Sequence, residues 1–77
     1  SVDPYWKMLA NAWVEDLPAD ETFTAESMCA EVGRPSHPNA VGARLSALAR
    51  AGLIVEDGYV QAGRRERHAS RMLRWRR

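Results

Sequence analysis

The chain has 77 residues, of which 45% are hydrophobic and 27% charged, with a formal net charge of +1. That suits one small globular domain with a compact core, spanning 1–77, and is too apolar for a disordered tail. The lone cysteine, Cys29, excludes an internal disulfide, no ligand cluster has the spacing of a structural zinc site, and no apolar run approaches the ~18 residues of a membrane span.

The near-neutral total conceals a separation of charge. Residues 1–33 carry seven acids against the single base Lys7, whereas residues 34–77 carry ten arginines against Glu56, Asp57 and Glu66. Asymmetry of this kind points to an anionic partner, and nucleic acid is the commonest one. Arginine's planar fork of donors suits phosphate oxygens and guanine edges better than a lysine does.

Asp3-Pro4 opens a first helix, with aspartate as cap and proline at the first helical position. Tyr5, Trp6, Leu9, Ala12 and Trp13 fall on one predicted face, with Lys7, Asn11 and Glu15 turned away. The tryptophans read as core rather than as a stacking platform, and Leu17-Pro18 stops the helix near Asp16. After the polar stretch 18–22, Thr24 caps a second helix, Glu26 favours the positive end of its dipole and Phe23 packs back as a staple. Met28, Cys29 and Val32 supply its buried side, with Cys29 as a small hydrophobe rather than a nucleophile, and Gly33 ends it.

Arg34-Pro35-Ser36-His37-Pro38 forms a rigid turn. A third helix follows from about His37 to Ala51, with Pro38 favoured as its first helical residue, and Gly52 closes it. Two helices joined by a tight turn have the helix-turn-helix arrangement. Val41, Leu45 and Leu48 form the inner arc of the third helix, flanked by Ala49. The outer arc of Asn39, Ala43, Ser46, Ala47 and Arg50 is small and polar. No acid occurs between Glu31 and Glu56, so this face can approach a phosphate-walled groove.

Leu53-Ile54-Val55 starts a strand. Asp57-Gly58 has the chemistry of a tight hairpin turn. The favoured alternative is one strand over 53–61 with a bulge at Gly58, a polar tip over 63–70 and a partner strand over 72–76. Leu73 and Trp75 then share the face that packs on the helices.

The expected fold is α+β and mainly helical: a three-helix winged helix-turn-helix with a C-terminal β-hairpin wing. In this arrangement the third helix enters the major groove and the wing lies on the backbone or in the minor groove. Arg64, Arg65, Arg67 and His68 crowd the wing tip, and Arg71 follows. Asn39 can pair with adenine, contact phosphate or merely cap its helix. Arg44 can lay its stem on the core and reach a phosphate or an acid. Arg50 is read as a phosphate contact or as solvent-facing, and His37 as a phosphate donor or as part of the turn. Tyr59 is read as wing packing or a backbone hydrogen bond. Arg74, Arg76 and Arg77 are read as a basic tail or solubilising charge.

Taken together, His37-Pro38-Asn39-Ala40-Val41-Gly42-Ala43, Ala49-Arg50-Ala51-Gly52-Leu53-Ile54, Gly58-Tyr59, Arg64-Arg65, Arg67-His68-Ala69 and Trp75 resemble small winged helix-turn-helix proteins of actinobacterial phages and prophages. The likeness covers about residues 23–76. The Ala-Arg-Ala-Gly-Leu-Ile portion is generic to winged helices, while His-Pro-Asn-Ala with the Arg-His-Ala wing is more distinctive. The resemblance implies DNA binding by helix and wing, in transcription regulation or as a replication or recombination accessory.

The sequence therefore predicts a double-stranded DNA-binding protein. The alternative is a winged-helix interaction module for an acidic protein partner. An enzyme is not expected: no paired carboxylates, nucleophile with its base, metal-ligand set or glycine-rich phosphate loop is legible. No cofactor, metal, membrane partner or signal peptide is expected, and the expected location is cytoplasmic. A homodimer on DNA and a protein partner on the acidic half are both compatible with the sequence.

Overall fold

The computed structural model describes residues 4–37, 39–61 and 71–77, with Gln61 and Arg71 described by backbone alone. Three helices and a three-stranded antiparallel sheet make a small α+β fold, in the order α1 (Pro4–Glu15), β1 (Thr22–Thr24), α2 (Ala25–Val32), α3 (Ala40–Arg50), β2 (Val55–Gln61) and β3 (Arg71–Arg76). No helix among these residues is long and apolar enough to cross a membrane.

The core is built from one side of each element. Trp6, Ala10 and Val14 of α1 meet Phe23, Met28, Leu45, Leu48, Ile54 and Trp75, all buried. The tryptophans do pack inward. Trp6 is 3% exposed and donates its indole N–H to the Gly33 carbonyl at 2.7 Å, which ties α1 to the end of α2. Trp13 stands edge-on to Phe23 with ring centroids 5.2 Å apart, a favoured aromatic geometry. The buried stripe of α1 is nevertheless rotated from the one predicted. Ala10 and Val14 fill its centre, while Tyr5 and Ala12 are exposed. Small residues at positions 10 and 14 let the helix approach its neighbours closely, which leaves the bulkier Tyr5 outside.

α2 begins and ends on local signals. Thr24 is extended; its Oγ1 accepts the Ser27 amide at 3.1 Å and its own amide donates to Ser27 Oγ at 2.9 Å. Two otherwise unpaired amides are satisfied by this reciprocal box. Gly33, at φ +86°, donates to the Cys29 carbonyl at 2.8 Å and terminates the helix. Cys29 itself is buried.

β1 is absent from the sequence reading. It pairs with β3 at Thr22–Arg76, Phe23–Trp75 and Thr24–Arg74, so β3 is the central strand, with β2 on its other side. The long β2–β3 pairing does form, and Asp57-Gly58 makes no tight hairpin. The register shifts between Glu56 and Tyr59, and Gly58 sits in the irregularity at φ +81°, a conformation that favours glycine. The strand begins at Val55 rather than at 53: Ile54 is 1% exposed in the core, and Leu53 donates its amide back to Leu48.

Candidate nucleic-acid interface

α3 starts later than the sequence suggests. His37 Nδ1 accepts the Asn39 amide at 3.2 Å, and the His37 carbonyl accepts the Ala40 amide at 3.1 Å. Asn39 stands at the cap and Ala40 leads the helix, while Pro38, the expected first helical residue, lies outside the described residues. His37 takes the role of a turn-satisfying side chain. Asn39 does not behave as a capping group, since its side chain makes no capping bond and is exposed.

Helical geometry then sorts the other side chains. Ala40, Leu45 and Leu48 are buried, with Val41 and Ala49 packed at the margins of the core. Asn39, Gly42, Ala43, Ser46 and Arg50 are exposed. They form one arc along the helix, with no large side chain before Arg50. The first turn of α3 contains no acid and Arg50 stands in its last, so the cation complements the negative end of the helix dipole. Arg50 makes no hydrogen bond or ion pair with the described residues.

Ala47 departs from the predicted outer face, whereas Arg44 lies at the flank of the buried arc as expected. Ala47 is half-buried at its edge, and Arg44 is half-buried toward the core. The Arg44 Nε is fully covered and finds no acceptor among the described residues. The stem thus lies against the core as expected. Of the two partners read for its head, a phosphate or an acid, the acid is absent among the described residues.

Arg34, not singled out by sequence, is exposed beside the inner margin of α3, next to Val41 rather than on this arc. It lines an open groove of about 310 Å³ together with Glu26, Ala25, Cys29, Val41 and Met72. Its place at the opening of the acid-free stretch was the available signal. On the hairpin, Tyr59 lies opposite Leu73 in register and is 61% exposed. Arg64, Arg65, Arg67 and His68 lie outside the described residues, as does the Arg71 side chain. No group of three or more His, Cys, Asp or Glu side chains suited to a metal occurs among the described residues.

The three C-terminal arginines are neither a tail nor simple solubilising charge. Arg74 donates from Nε to the Asp57 carbonyl at 3.0 Å and pairs with the Asp57 carboxylate at 3.3 Å. Arg76 lies 3.3 Å from the Asp20 carboxylate and 3.9 Å from that of Asp57. Arg77 donates to the carbonyls of Val14 at 2.9 Å and Glu15 at 3.3 Å, which places a cation at the C-terminal end of α1, where the helix dipole favours it. These contacts engage three of the ten arginines inside the molecule. The chain matches no protein-family model, no curated protein and no solved structure.

Proposed function

We propose that the chain is a winged helix-turn-helix protein that binds double-stranded DNA. In this reading α2, the turn around His37 and α3 form the helix-turn-helix unit, α3 lies in the major groove and the β2–β3 hairpin is the wing. The exposed arc of α3 carries the proposal. Its small side chains permit close approach, its lack of acid avoids repulsion from phosphate, and Asn39, unengaged in capping, offers an amide to a base edge. Arg34 and Arg50 supply phosphate contacts, joined by Arg64, Arg65 and Arg67 of the hairpin tip. The motif resemblance described above agrees, and it alone suggests a phage-type regulator or accessory factor.

A duplex-binding titration across ionic strength tests this reading. Five arginine–phosphate contacts give a slope of about −4 to −5 in log K against log salt. A flat response overturns the DNA reading and favours the acidic-protein alternative.

A further inference from the structure

Asp57-Gly58 is the only Asp-Gly or Asn-Gly step in the chain. Glycine has no side chain to shield its amide nitrogen, and the aspartate carboxyl can reach that nitrogen by closing a five-membered ring. The step falls in the bulge of β2. Glu56 stands opposite Trp75 and Tyr59 opposite Leu73, so Asp57 and Gly58 together face the single residue Arg74. Gly58 is exposed, at φ +81°, and the Asp57 side chain keeps 31% of its surface open to water.

Arg74 grips Asp57 twice. Its Nε donates to the Asp57 main-chain carbonyl at 3.0 Å, and a terminal nitrogen of the same guanidinium lies 3.3 Å from Oδ2. Arg76 Nε stands 3.9 Å from Oδ1. One planar fork thus bridges the backbone and the side-chain oxygens of a single residue. An ordinary surface ion pair holds the carboxylate alone.

We propose that Asp57-Gly58 is a site of spontaneous isoaspartate formation, and that the Arg74 fork restrains it. In the first step the Gly58 amide nitrogen bonds to Asp57 Cγ. The amide proton and the carboxyl OH leave as water, and a cyclic imide closes. In the second step water adds to one of the two imide carbonyls. Addition at Cγ restores aspartate. Addition at the main-chain carbon breaks its bond to the Gly58 nitrogen and leaves the chain running through Cγ. Water is the only other reactant.

The grip and the ring are incompatible. In the imide the nitrogen stands between the two carbonyl carbons, so Gly58 Cα, bonded to it, lies between their oxygens. In-plane donation from one guanidinium to both oxygens is then blocked. Ring closure therefore requires release of Arg74. The isoaspartate product adds one carbon to the main chain of β2 at the bulge. It also leaves the carboxylate directly on Cα, a carbon short of its former reach, so Arg74 and Arg76 lose the anion that anchors them.

The test needs no DNA, so its outcome is separate from the DNA reading. Wild type, Arg74→Ala and Arg77→Ala are aged at neutral pH and physiological temperature, and isoaspartate at position 57 is followed by mass-spectrometric peptide mapping. Circular dichroism confirms that each remains folded. The expected result is isoaspartate accumulating about three- to tenfold faster in Arg74→Ala than in wild type, the factor that one hydrogen bond carries. Arg77→Ala removes contacts to α1 and none to Asp57, so it ages at the wild-type rate. Equal rates in wild type and Arg74→Ala overturn the proposal, as does the absence of isoaspartate in Arg74→Ala. Acceleration in Arg77→Ala equal to that in Arg74→Ala also overturns it, because general loosening of the fold then accounts for the effect.

Discussion

Gly42 stands on the exposed arc of α3, and a methyl group placed on it meets no atom within 4 Å. Gly42→Ala therefore stabilises the helix by about 1 kcal/mol, the usual difference between the two residues in a helix interior, as thermal unfolding will show. The same methyl stands between the helix and any groove it enters, so affinity for duplex DNA falls while stability rises. Asn39 behaves differently. Because its side chain makes no capping bond, Asn39→Ala shifts stability by less than about 0.5 kcal/mol. It removes about 1–3 kcal/mol of base discrimination where the amide pairs with adenine. Denaturant unfolding beside competition binding with altered duplexes separates the two effects.

At the scale of elements, β3 holds the fold together through its backbone and its arginines. It pairs with β1 and β2, while Arg77 beyond its end reaches back to the last carbonyls of α1. Arg77→Ala costs about 0.5–1.5 kcal/mol of stability by removing those hydrogen bonds, and it leaves DNA affinity unchanged in a binding titration under conditions where the protein is folded. The surface pairs of Arg74 and Arg76 add less, since partly exposed ion pairs contribute only ~0–1 kcal/mol each. The limits of α2 were legible because Thr24 and Gly33 act on their own neighbours. The three residues of β1 were not, because Thr22–Thr24 become a strand only by pairing with residues some fifty positions away. The outer arc of α3, apart from Ala47, followed from helical periodicity alone. The division of the arginines did not: ten identical side chains differ only in what lies near them, and Asp57, Asp20 and the end of α1 select Arg74, Arg76 and Arg77. The face of α1 was misjudged because Tyr5 and Trp6 are adjacent aromatics, and the choice between them rests on contacts with other elements.

Across the whole molecule, the charge separation seen in the sequence is only partly neutralised internally. Asp20 and Asp57 hold arginines, while Glu15, Asp16, Glu21, Glu26 and Glu31 remain exposed on the first half. In the DNA-binding reading proposed above, such a charge separation favours approach to a polyanion. The core residues beneath α3 bury no charge among the described residues, so the proposed binding surface rests on an apolar base whose packing does not depend on salt. The arginines thus fall into two sets: one stabilises the fold, and in the proposed function the other meets the partner.

Backbone amide shifts of the labelled protein, followed while a short duplex is added at low salt, test that separation most directly. The account predicts the largest changes at Asn39, Gly42, Ala43, Ser46 and Arg50, with further changes through the hairpin tip and little at α1 or at Arg77. Changes centred on α1 or the C-terminal arginines, with α3 silent, would contradict it.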